Sequence, residues 1–332
     1  MSTTLLEEVP PPRLDPVEGV KEGLQRRWAR PGGRAYAVLR WTGATIFTVI
    51  VVGLVVSLVA SASQAFGHSG LSFLWSGTYN ASKDIYPTGI FIVGTLITTA
   101  VAIVLAVPIG VATAAFLSEL APKWLAGPLS VLIDLIAAVP SIVVGLWGLL
   151  VLTPVFAHHV EPFMKKVPLL EWFFHGPAYG PSMLLAGTVL AVMILPIVVA
   201  LSRTALTSVA TEDREAARAL GATRWQVVRT VVVPGARTGI EAAVMLALGR
   251  ALGETFAVAM VIGNNYALPH SLLAPGATLG SAIINNFGEA NPGLDRSSII
   301  GLVVVLLAIT VLVNVGGQLL LRRRLRAAGA AS

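Results

Sequence analysis

The sequence predicts an all-α membrane protein, a bundle of six transmembrane helices, and three observations carry that reading. Mean hydropathy is +0.79. Only 12% of the residues are charged, where a soluble domain carries roughly 25%. Six apolar stretches, each long enough to cross a hydrocarbon core, follow one another along the chain. A chain with so little charge cannot clothe itself in polar surface, so its outside faces lipid. Strand-like alternation is missing, which argues against a β-barrel.

The elements follow in order. Residues 1–42 are polar, with Pro10, Pro11 and Pro12 in a row and a basic stretch from Lys21 to Arg40. They read as a flexible cytoplasmic tail able to form a short interfacial helix. Ala60-Ser61-Ala62 resembles a cleavage site, but the long tail and the length of the apolar stretch favour an uncleaved anchor. Spans are expected at about 43–62, 89–112, 125–152, 181–201, 242–262 and 298–321, together one permease domain over 43–321. Pro108, Pro140 and Pro196 fall inside them, as prolines do more often in membrane helices than in soluble ones. A basic tail, 322–332, closes the chain.

The basic residues assign the sides. Eighteen Lys and Arg fall in the two tails, in the loop after the second span and in the loop between the fourth and fifth. Four (Lys83, Lys165, Lys166 and Arg296) fall on the other side. That asymmetry alternates correctly through six spans and puts both termini in the cytoplasm. It also accounts for the sequence pI of about 10.0 without nucleic acid; the partner these charges imply is the lipid bilayer. Cysteine is absent, so there is no disulfide framework and no thiolate metal site.

The cytoplasmic loop over about 207–237 has a pattern. Thr211 is placed to cap a helix whose first turn holds Glu212 and Asp213. Helix is expected from Arg214 to Leu220, Gly221 breaks it, and Thr223 caps a second helix that ends near Pro234. Ala216, Ala217, Ala219, Leu220, Trp225 and Val228 give this polar segment a small apolar face suited to a partner's groove. A merely soluble loop would not need them.

Glu215-Ala216-Ala217, then Gly221, then Val231, Val233 and Pro234 resemble the EAA loop of ABC importer permeases. Two valines stand here where that family usually has Ile and Leu. The resemblance implies the six-helix bundle of the type I importer permeases, with Glu215, Ala216, Ala217, Gly221 and Pro234 coupling it to a separate ATPase. Further stretches are similar to the phosphate permeases of the PstC type: Arg250-Ala251-Leu252-Gly253-Glu254-Thr255-Phe256-Ala257-Val258, then Ile262-Gly263-Asn264, 283–290, 116–122 and 139–150. Phe256 replaces a usual Met. By this resemblance the chain is one permease of an ATP-driven phosphate importer. Its expected partners are a second, PstA-like permease, a PstB-like ATPase dimer and an extracytoplasmic PstS-like phosphate-binding protein. ATP closure of the ATPases would shift the bundle between outward and inward access.

Arg250 and Glu254 lie inside the fifth span, with Arg250 about 15 Å deep. A charge there is costly against lipid, so it should face the bundle interior or a wet cavity. Residues four apart share a helix face and can pair. Two readings stay open: an ion pair that fixes packing, or an Arg that meets an anion in transit while Glu254 holds and releases it. Gly249, Gly253 and Ala257 form a small-residue stripe for close helix packing. Asp134 in the third span is a candidate partner for an Arg or a polar gate contact, and Pro140-Ser141 can break that span and open carbonyls to the path.

His158, His159 and Glu161 crowd an outside loop and read as solvated, since no further His completes a metal site. No Gly-Lys dipeptide occurs, so there is no P-loop. The chain is expected to be non-catalytic and to bind no cofactor, with ATP and Mg used by the partner ATPase. Rival readings are a permease for sulfate or molybdate, an ion-gradient transporter that would not need the EAA-type loop, and an intramembrane enzyme, for which no constellation is found.

Overall fold

The structure, a computed structural model, describes residues 31–70, 72–75, 88–167, 172–177 and 179–329. The expected tail therefore lies outside the described residues up to residue 30, and 31–42 are helical and continuous with the first span. The chain divides into two compact units, Met1–Ser57 and Leu58–Ser332. The described part of the first unit is helical, and its apolar side chains, Ile46, Phe47 and Ile50 among them, are exposed, as a lipid-facing helix requires.

Helix α1 runs Pro31–Ser69. The helices that follow are α2, Thr88–Leu120; α3, Lys123–Ala138; α4, Ser141–Met164; and α5, Met183–Thr207. Then come α6, Thr211–Ala219; α7, Arg224–Gly235; α8, Arg237–Leu252; α9, Phe256–Val261; α10, Leu279–Phe287; and α11, Leu294–Gly329. No strand forms among the described residues. Among the described residues five helices are long and apolar enough to cross a membrane, and α7 with α8, bent by 67°, makes a sixth if the pair counts as one span.

Two expected spans differ from the observed helices. The stretch 125–152 is not one helix: it breaks at Val139 and Pro140, where the backbone is extended, and restarts at Ser141. Proline has no N–H for the preceding turn and drives the residue before it out of the helical region. The restarted helix α4 continues through wide π turns to Met164, well into what was expected to be an outside loop. The stretch 242–262 is likewise two helices, α8 and α9, separated at residues 253–255.

In the second unit α5 is the central helix. Leu185, Val189, Ile194 and Val198 are buried against Ala102 and Ala106 of α2, Ala247 and Ala251 of α8, and Val258 and Val261 of α9. Alanines on the facing helices let the backbones approach, which is how packing holds helices together in lipid. The first N–H groups of α5 have no intrahelical partners. Ser182 Oγ accepts from Leu185 N, while Met183 N and Leu184 N donate to Ala274 O and Leu272 O. The irregular segment 263–278 is thereby tied to the top of α5. At the far end of α5 a separate apolar cluster joins Leu206 to Leu117 of α2 and to Val227, Val228 and Val232 of α7.

Candidate functional site

The helix–turn–helix over 211–235 forms much as its sequence requires. Glu212 and Asp213 occupy the first turn of α6, complementing its dipole. Thr211 is the first helical residue rather than the cap; Ala210 holds the cap position without a side-chain bond. The helix ends in a Schellman turn: Ala222 N donates to Ala217 O and Gly221 N to Arg218 O, with Gly221 at φ +86°. Thr223 then caps α7 in a reciprocal box, its Oγ1 accepting from Gln226 N and Gln226 Oε1 accepting from Thr223 N.

The apolar face expected on this segment is divided. Val228 is buried in the cluster below α5, and Ala217 packs against that cluster. Leu220 is 90% exposed and Trp225 59% exposed, with Glu215, Ala216 and Ala219 also open to solvent. Pro234 is exposed at the bend between α7 and α8. Glu215, Ala216, Gly221, Leu220 and Trp225 thus lie together on a short, outward projection.

Arg250 and Glu254 do not pair. Helix α8 ends at Leu252 and Gly253 is its C-cap, so the i,i+4 relation on which the pairing rested does not exist. Glu254 Oε1 instead accepts from Ala257 N, covering an open N–H at the start of α9. Arg250 stands exposed on α8 and borders a cavity of about 250 Å³ with Ile136, Ala137, Val139, Val144 and Met193. Among the described residues it is the one charged group in that lining, and the break at Val139 forms part of the wall.

The small-residue stripe is divided by the same break. A Cβ on Gly249 would fall 2.8 Å from Asn314 Oδ1, so Gly249 lets α11 approach α8. Ala257 packs against Gly145 of α4. A Cβ on Gly253 would meet only Gly249 O and Arg250 O of the preceding turn among the described residues, and Gly253 serves to end α8. Ser141 is the first residue of α4, half-buried after the break. Asp134 makes no ion pair among the described residues; it shares a second cavity, of about 370 Å³, with Arg203, Ser130, Thr204 and Thr207. Arg203 donates to Ser130 Oγ across that cavity.

Three features were not read from the sequence. One is Arg203, which the packing of α5 on α3 brings to the cavity that Asp134 also lines. Another is Glu161, expected to be solvated, which lies on α4 fully buried with Oε2 accepting from Gly180 N. The third is an ion pair, Arg214 to Glu119, of 3.2 Å between α6 and the end of α2. His158, by contrast, is exposed and bonds Pro154 O one turn back.

Residues 106–326 match the family of binding-protein-dependent transport system inner membrane components. The chain is 40% identical over 284 residues to the phosphate transport system permease protein PstC of Haemophilus influenzae, covering 84% of this chain and 90% of that protein. It is 38% identical to the PstC of Mesorhizobium japonicum, covering 93% and 96%. It is 36% identical to PstC 1 of Mycobacterium tuberculosis, covering 90% and 97%. Among solved structures it is similar in fold to a chain of a bacterial alginate ABC transporter in complex with alginate pentasaccharide-bound periplasmic protein. There the TM-score is 0.60 at 15% identity, over 90% of this chain and 98% of that one.

Proposed function

The chain belongs to the binding-protein-dependent transport system inner membrane components, and from that premise we infer that it is the membrane-spanning permease subunit of an ATP-driven phosphate importer. One observation carries the substrate: similarity at 36–41% identity to phosphate permeases over most of both lengths. It is a multi-pass inner-membrane protein that works with an ATPase and a substrate-binding protein. The finer assembly is a second, PstA-like permease, two PstB-like ATPases and a PstS-like phosphate-binding protein. The eighteen-to-four distribution of basic residues supports cytoplasmic termini.

The projection at 211–235 is the handle for the ATPase. A nine-residue helix with no buried residue, followed by an exposed Leu220 and Trp225, is stable and useful only when something covers it. Glu215, Ala216, Ala217 and Gly221 shape its docking face, and Pro234 fixes the angle at which α7 meets α8. The energy comes from the partner's ATP and Mg, since this sequence has no Gly-Lys with which to build a P-loop.

Arg250 meets the anion. A guanidinium beside an apolar cavity at membrane depth is expensive unless a negative group visits it. Glu254 is occupied at the start of α9, so it does not neutralise Arg250 in this state. Phosphate passing the cavity would find the fork of donors that suits its oxygens. Asp134 and Arg203, facing one cavity nearer the α6 end of α5, are placed to gate release.

The reading is tested in cells lacking their own phosphate importers. Expression of this chain with its three partners should restore phosphate uptake, and omission of the ATPase alone should abolish it. Uptake that persists without the ATPase, or that follows the ion gradient and ignores ATP depletion, would contradict the reading.

A further inference from the structure

We propose that Arg214 and Glu119 form the strut through which the coupling helix α6 moves the ends of α2 and α5. The proposal deepens the importer reading above and rests on it. Helix α6 buries none of its residues. Beyond its covalent links and the apolar contact of Ala217, its polar tie to the membrane-spanning helices among the described residues is one guanidinium. Arg214 Nη1 lies 3.2 Å from Glu119 Oε1, in the last turn of α2, and Nη2 donates to Leu206 O at 2.7 Å. Leu206 belongs to the last turn of α5, whose carbonyls carry the negative end of the helix dipole, and its O also accepts from Val209 N at 3.4 Å. One planar, rigid fork therefore grips two different helices at once.

Burial gives the strut its strength. The Glu119 side chain is 6% exposed and that of Arg214 17%, so water and salt screen the pair far less than a surface pair. Removing one partner leaves the other charge buried and uncompensated. The fork also has slack: Glu119 Oε1 meets Nη1 as an ion pair without hydrogen-bond geometry, and Arg214 Nε has no hydrogen-bond partner among the described residues. The pair can thus tighten or shift register as α6 tilts. Beside it an open cavity of about 540 Å³, bordered by Ser118, Arg218 and Arg224, leaves α6 room to move against the end of α2. Arg214 is in this account a positioning residue: it neither docks the ATPase nor touches the anion, but passes displacement from one to the other.

The test uses the complete importer in proteoliposomes, with phosphate taken up per ATP hydrolysed as the readout. In Arg214→Gln and Glu119→Gln the ATPase should still co-purify, and the ratio of phosphate to ATP should fall about tenfold, the size of a typical coupling between sites. Arg214→Lys should lie between these and the unaltered protein. The exchange Glu119→Arg with Arg214→Glu should recover part of the ratio, which also separates loss of the strut from failure to fold. A ratio that stays unchanged in both Gln variants overturns the proposal, as does an equal fall in uptake and hydrolysis. Failure of the unaltered protein to retain an ATPase overturns instead the reading on which it rests.

Discussion

The backbone of Gly145 in α4 lies directly against Ala257 in α9: a Cβ on Gly145 would fall 2.8 Å from Ala257 Cα and 2.9 Å from Met260 Sδ. Each residue sits in the first turns of a helix that restarts after a break, α4 after Pro140 and α9 after residue 255. The two broken elements therefore brace each other. That contact allows irregular backbone to exist beside the Arg250 cavity, since such backbone survives at membrane depth only where it is covered by protein or lines a cavity.

Gly145→Val is accordingly expected to lower the stability of the purified protein by about 1–3 kcal/mol through overpacking. Gly127→Val serves as the control, because a side chain there meets nothing within 4 Å. Thermal unfolding in detergent measures both, and equal midpoints for the two variants would disprove the bracing contact.

Arg250→Ala should reduce phosphate uptake by roughly a hundredfold, the scale of losing hydrogen bonds from a charged donor to the anion, while the ATPase still co-purifies. Arg250→Lys keeps the charge but not the fork and should retain a measurable fraction. Uptake assays on matched protein amounts decide the matter; Arg250→Ala transporting at the unaltered rate would remove the residue from the anion path.

Gly221 occupies the left-handed region at φ +86° in the turn between α6 and α7. Gly221→Val forces a β-branched side chain into that conformation at a cost of order 1–2 kcal/mol. The expected outcome is a several-fold loss of co-purifying ATPase, with Gly221→Asn closer to the unaltered chain. Pull-down yields that do not differ among the three would show that the turn geometry is not needed for docking.

Glu161 is buried with Oε2 accepting from Gly180 N, and Oε1 has no hydrogen-bond partner among the described residues. Glu161→Gln keeps an acceptor for Gly180 and should leave stability within about 1 kcal/mol of the parent, whereas Glu161→Leu orphans that N–H and should cost about 1–3 kcal/mol. Chemical or thermal unfolding of the two variants gives the comparison, and a Leu variant as stable as the Gln one would contradict it.

Four of the expected spans, 43–62, 89–112, 181–201 and 298–321, coincide with single helices, because hydropathy over 20 residues reports the solvent of a helix without reference to its neighbours. The turn at Gly221 and the cap at Thr223 were legible because both are local chemistry completed within four residues. The break before Ser141 was signalled by Pro140. The break at residues 253–255 was not, since nothing in Gly253-Glu254-Thr255 forbids helix; it depends on α9 packing against Gly145 and on Gly280 of α10 closing on Thr255. The absence of an Arg250–Glu254 pair follows from that break. Glu161 with Gly180 and Glu119 with Arg214 were illegible for the same reason: each partner is brought from a distant segment by tertiary packing alone.

The central claim is that this chain carries phosphate across a bilayer under the drive of a separate ATPase. Proteoliposomes holding the two permeases and the ATPase, supplied with the binding protein on one side and ATP on the other, measure it directly. Labelled phosphate should accumulate only with ATP present, unlabelled phosphate should compete, and excess sulfate or molybdate should not. Accumulation without ATP, or competition by sulfate or molybdate equal to that of phosphate, would contradict the account.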